Sequence, residues 1–216
     1  MFTKYGYTTI GVTAIISFLI IVVAIFLNNN IARISFIAIA VVLLAFTLYF
    51  FRDPERNPPS RDDIVISPAD GRVLFVKEVD SNKFINGRAN QISIFMSPLN
   101  VHVNRVPITG QVDFIEYFEG RYIAAFEDKA SELNERSEIG ITNKNGKIFF
   151  TQVAGFVARR IVNELRVGDR VKIGERFGMI KFGSRVDVIA PSNWKPIVEK
   201  NQNVIAGESI LFELIK

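Results

Sequence analysis

The chain has 216 residues, 26 of them basic and 22 acidic for a net charge of +4, with a single histidine and no cysteine. The missing cysteine excludes disulfide scaffolds, zinc ribbons, iron–sulfur sites and thiol nucleophiles, and one histidine excludes hydrolases that gather several imidazoles on a zinc ion. Residues 1–51 hold only Lys4 and Arg33 and no acid, whereas the other 165 residues are about 28% charged, an ordinary soluble composition long enough for its own core.

Thr8 to Leu27 is a run of 20 residues without a charge, about 30 Å as a helix and so as long as a hydrocarbon core is thick. Asn28-Asn29-Asn30 interrupts it, and Ile34 to Phe51 adds another 18 uncharged residues. Neither run has a polar face, and a second span argues against a cleaved signal peptide. A membrane helical hairpin over residues 1–51 is expected. Arg33 is alone in the short loop, while Lys4, Arg52, Arg56 and Arg61 flank the spans, so both termini are expected in the cytoplasm at the inner cell membrane.

Residues 52–63 are rich in proline and charge and read as a stiff linker to a domain over 64–216. Alternating apolar runs then recur at Val73–Val79, Gln91–Met96, Val101–Val106, Gly110–Tyr117, Ile139–Thr142, Lys147–Ala154, Arg170–Ile173, Phe177–Lys181 and Val186–Ile189. Only Val157–Asn163 reads as a short helix. The fold class is therefore mostly β, a small barrel or sandwich behind an N-terminal hydrophobic helical hairpin.

Gly168-Asp169-Arg170-Val171-Lys172-Ile173-Gly174-Glu175 has the GDxVxxGE spacing of the hairpin in biotinyl and lipoyl carrier domains and other barrel-sandwich hybrids. Its glycines suit turns, and Val171 and Ile173 are expected to point inward. No modifiable lysine stands in a carrier setting, so a carrier function is rejected. Acids and bases are interspersed after residue 52, and no phosphate-binding glycine motif is present, so no nucleic acid partner is expected. A lightly basic surface fits anionic lipid instead, with Arg121 and the Arg159-Arg160 pair as headgroup contacts or solvated charges.

Three stretches carry polar residues that β packing does not need. Ser67-Pro68-Ala69-Asp70-Gly71 sets an acid on a turn, Ser97 to Pro107 holds His102, and Lys181-Phe182-Gly183-Ser184-Arg185 sets a Gly-Ser step between strands. Each reads singly as a turn or a structural group. Together they contain the parts of an activated hydroxyl, in which imidazole takes the proton and carboxylate orients the imidazole. Any such arrangement must use His102.

These motifs in this order, Pro-Ala-Asp-Gly, Met-Ser-Pro-Leu-Asn-Val-His-Val-Asn-Arg-Val-Pro, Asn134-Glu135-Arg136-Ser137-Glu138 and Phe182-Gly183-Ser184-Arg185, closely resemble phosphatidylserine decarboxylases of the short, membrane-hairpin type. The resemblance spans about residues 50–190. It implies a proenzyme that cleaves itself between Gly183 and Ser184 by serinolysis, giving a β chain of 1–183 and an α chain of 184–216 that stay together. It also implies a covalent pyruvoyl cofactor made from Ser184, with no metal, that forms a Schiff base with phosphatidylserine and yields phosphatidylethanolamine and CO2. Asn134–Ser137 is expected near the pocket.

In longer relatives two histidines stand three residues apart, one for decarboxylation and one for cleavage. His102 matches the first, and Arg105 stands at the second. Either His102 serves both steps, or Asp70 and Arg105 assist Ser184 differently. Arg105 is alternatively a binder of the substrate's phosphate or carboxylate, or an ordinary surface arginine on a strand. The rival readings are a membrane-anchored adaptor with a biotinyl-like barrel, which would need coiled-coil heptads this chain lacks, and a peptidase.

Overall fold

A computed structural model describes residues 1–120, 134–155, 160–181 and 184–215. The helix reading at Val157–Arg159 and the residues Arg121, Arg159 and Gly183 lie outside them. The chain forms two compact units, Met1–Glu55 and Arg56–Lys216.

In the first unit a short 3-10 turn, Lys4–Gly6, leads into α1 (Tyr7–Ile25), and α2 (Asn30–Phe50) follows. Asn29 starts α2, its side chain accepting hydrogen bonds from the amides of Ile31 and Ala32, which would otherwise be unsatisfied at the helix end. The helices pack through small residues, with Ala24 and Ala40 fully buried, while Phe18, Val23, Ile34 and Val42 stay more than half exposed. Both helices are long and apolar enough to cross a membrane, and so are compatible with membrane association. The amide of Thr3 donates to Phe51 O and that of Asp53 to Met1 O, closing the open end of the hairpin.

The second unit is almost entirely β. Its strands are β1 (Ile64–Ile66), β2 (Gly71–Asn82), β3 (Asn86–Met96), β4 (Val103–Arg105), β5 (Gly110–Phe118), β6 (Arg136–Asn143), β7 (Gly146–Ala154), β8 (Ile161–Asn163), β9 (Arg170–Val171), β10 (Arg176–Ile180), β11 (Ser184–Pro191), β12 (Trp194–Pro196), β13 (Asn203–Val204) and β14 (Ile210–Leu214). Among the described residues eight form a curled half-barrel sheet in the order β13-β2-β3-β11-β7-β6-β5-β9, with two three-stranded sheets, β4-β10-β8 and β1-β14-β12, beside it. The mostly β reading with its helical hairpin is borne out.

Alternation along the central strands builds the core. Ile92, Ile94 and Met96 of β3, Val186, Val188 and Ala190 of β11, and Ile148, Phe150 and Ala154 of β7 share one buried face. Phe150 meets Phe177 of β10 edge-on, with ring centroids 5.5 Å apart. Each large side chain buried there contributes about 1.5–3 kcal/mol.

The structure corrects the sequence reading at several points. Asn163 and its neighbours do not extend a helix, since Ile161–Asn163 is β8, hydrogen-bonded to β10. The strand expected at Val101–Val106 shrinks to β4, because Ser97–Asn100 turns: Ser97 O accepts from the Asn100 amide while Asn100 Oδ1 accepts from the Ser97 amide. Val171 is in the core, but Ile173 is only partly buried and its amide donates to Thr109 Oγ1. The hairpin geometry itself is as expected. Asp169 and Glu175 each accept a backbone amide three residues back, and Gly174 has φ +82°, with Pro58 occupying the space a Cβ would need. Residues 53–63 carry no helix or strand.

Candidate active site

The start of β2, the end of β3, the end of β7 and the start of β11 all lie at one end of the large sheet. Ser184, first residue of β11, pairs with Met96 on one side and Ala154 on the other. Strand alternation puts its side chain on the inner face with Val186 and Val188. Ser184 is fully buried, and its hydroxyl has no hydrogen-bond partner among the described residues. A buried hydroxyl left so costs about 1–3 kcal/mol, which strand packing alone does not explain.

Asp70 precedes β2 at the same end. Gly71 must be glycine, because a Cβ there would fall 2.2 Å from Phe95 O of β3. The Asp70 carboxylate accepts from Arg56 Nη2, 3.0 Å from Oδ2, and from the Ala206 amide, 2.8 Å from Oδ1. Its turn is fixed to β4, since Pro68 O accepts the Arg105 amide at 2.9 Å.

His102 is fully buried, just past the Ser97–Asn100 turn. Its Nδ1 is 2.9 Å from Asn100 O. A carbonyl only accepts, so Nδ1 carries a proton and Nε2 is the nitrogen left to exchange one. Arg105 is not a surface arginine: it is 5% exposed, and its Nη1 donates to Gly174 O at 2.9 Å.

Two amides join these pieces. Gln152 Nε2 donates to Asn104 Oδ1 at 2.8 Å, and Asn104 Nδ2 lies 3.4 Å from Pro68 O and 3.9 Å from Met96 Sδ. Gln152 pairs with Val186 on the inner row, diagonal to Ser184. Asn134 Nδ2 donates to Ala154 O at 2.7 Å and Glu135 O accepts the Ala154 amide, so Asn134-Glu135 borders the strand neighbour of Ser184. Lys181, three residues before Ser184, is pushed below the ordinary lysine range by burial and by the nearby Arg160 cation.

The sequence reading passed over Asn104, Gln152 and Arg56. The available signal was a glutamine in the otherwise apolar inward row Ile148, Phe150, Gln152, Ala154.

Residues 43–212 match the family model described as phosphatidylserine decarboxylase, and the class is that of the lyases that remove a carboxyl group. The chain is 48% identical over 211 residues to a phosphatidylserine decarboxylase proenzyme of Chlorobium limicola, covering 98% of this chain and 99% of the relative. It is 49% identical over 214 residues to that of Chlorobium chlorochromatii, with 98% and 99% covered, and 42% identical to that of Prosthecochloris aestuarii, with 99% and 98% covered. The chain belongs to the phosphatidylserine decarboxylase family.

Proposed function

We propose that this chain is a self-processing proenzyme that converts phosphatidylserine to phosphatidylethanolamine and CO2. The observation that carries this reading, within the family, is the buried Ser184 hydroxyl without a hydrogen-bond partner among the described residues, at the first position of β11. Ser184 Oγ attacks the Gly183 carbonyl, giving an ester and freeing the residue 184 nitrogen. Loss of the residue 184 α-proton then expels the Gly183 carboxylate and leaves dehydroalanine. Water converts this to a pyruvoyl group with release of ammonia, so no oxidant is needed.

His102 is the base for the serine proton, because its Nε2 offers a lone pair that an arginine lacks, while the Asp70 carboxylate oxygens already accept from Arg56 and the Ala206 amide. His102 therefore serves both maturation and decarboxylation. Asp70 supplies fixed negative charge, and Arg105 supplies a cation for the phosphate or carboxylate of the substrate. The site fits a pyruvoyl group at residue 184, since loss of the hydroxyl removes the orphaned polar atom. That group supplies an electron sink for the pair released as CO2 leaves.

After cleavage β11 keeps its ladders to β3 and β7, β14 its ladder to β1, and β13 its ladder to β2, so 184–216 stays bound to 1–183. The apolar hairpin tethers the chain to the inner cell membrane, with the β unit on the cytoplasmic side where anionic lipid is available. Intact mass measurement tests the reading. The wild type gives two fragments, the smaller starting at residue 184 with a blocked N terminus, and Ser184→Ala gives one chain of 24.4 kDa. An intact wild-type chain, as for an adaptor, would overturn it.

A further inference from the structure

We propose that Arg56 is a positioning residue for self-cleavage, holding Asp70 as an oriented, ionised carboxylate; this rests on the reading of Asp70 above. Arg56 sits in the proline-rich segment after the hairpin, which the sequence reading treated as a spacer. Its guanidinium is 15% exposed, and its Nη2 reaches both Asp70 oxygens, at 3.0 and 3.3 Å. Its Nη1 faces Glu208 Oε2 at 3.9 Å, so the planar fork lies between two carboxylates.

The other side of Asp70 is held equally firmly. The Ala206 amide donates to Oδ1, and the next residue, Gly207, has no room for a side chain, since a Cβ would fall 2.8 Å from Arg105 Cδ and 3.4 Å from Arg56 Cβ. One turn thus packs on both arginines while it donates to the aspartate. The charged groups around Asp70 are Arg56 from the segment before β1, Glu208 from the turn before β14, and Arg105 from β4. Arg56 is a cation bonded to it, and an adjacent cation keeps a carboxyl ionised to lower pH.

A purely structural role would be to pin the segment to the β unit. Glu208 serves that role too, since its Oε1 accepts the Asn57 amide at 3.1 Å, and so provides the control. The test follows conversion of the full-length chain, made by cell-free synthesis with phospholipid vesicles, from 24.4 kDa to its fragments as a function of pH. Arg56→Gln should slow conversion about tenfold or more and add a further loss below about pH 5, where an Asp70 without its cation takes up a proton, while the limb set by His102 stays in place. Arg56→Lys, which keeps the charge but loses the fork, should restore most of the rate. Glu208→Ala, which removes the Asn57 contact, should slow conversion less than Arg56→Gln and add no loss at low pH.

Wild-type conversion by Arg56→Gln would overturn the inference, as would slowing with no added loss at low pH or equal slowing in Glu208→Ala. Asp70→Asn is run in parallel. If it converts normally, the reading of Asp70 fails and takes the inference with it; if it stays uncleaved while Arg56→Gln is normal, only the inference fails. Thermal unfolding of each variant identifies one that has lost its fold, and Arg56→Lys then carries the comparison.

Discussion

His102 is where sequence and chemistry meet most tightly. As the only imidazole in the chain it was bound to be part of any Ser–His chemistry, and the Asn100 carbonyl fixes which nitrogen is basic. Replacing it with alanine should leave a single uncleaved chain of 24.4 kDa on a denaturing gel. Cleavage in His102→Ala with loss of decarboxylation would instead assign the maturation base elsewhere and restrict His102 to the second reaction. Gln152 had a weaker signal. A polar residue in an apolar row is visible in one dimension, but its partner Asn104 lies 48 residues away on another sheet, and no local rule links them.

At the scale of elements, β11 is the most informative strand. Its apolar positions marked Val186–Ile189 in advance, yet the strand runs from Ser184 to Pro191. The shortfall at its start comes from the Gly-Ser-Arg step, which reads as a turn, yet Arg185 and Asp187 share one face of the strand. Both are buried, 1% and 4% exposed, and form a two-bonded pair at 2.8 Å on the face opposite Ser184. Removing one partner leaves an uncompensated buried charge, so Asp187→Asn should cost about 3–5 kcal/mol of stability. Chemical unfolding of the purified chain in detergent measures it, and an unchanged midpoint would show that the pair is solvated. β1, β8, β12 and β13 escaped notice because strands of two or three residues are too short to show a period, and the five-residue β14 was missed as well.

For the whole molecule, the uneven charge separates an apolar segment up to residue 51 from a charged one, and the chain clusters into the compact units Met1–Glu55 and Arg56–Lys216. Orientation is a prediction at this scale. A fluorescent protein fused after Lys216 should fluoresce, and alkaline phosphatase fused there should be inactive; active phosphatase would put the β unit on the other side.

The sequence by itself determined the elements whose cause is local: the apolar hairpin, the GDxVxxGE turn, the central strands, and the candidates Asp70, His102, Arg105, Gly183 and Ser184. Only the tertiary structure decided which groups surround them. It brought the ends of four strands to one edge of the sheet, buried Arg105, tied Asp70 to Arg56 and Ala206, and set Gln152 on Asn104. Those contacts join turns and separate sheets up to 136 residues apart, and they form only once every strand has buried its apolar face.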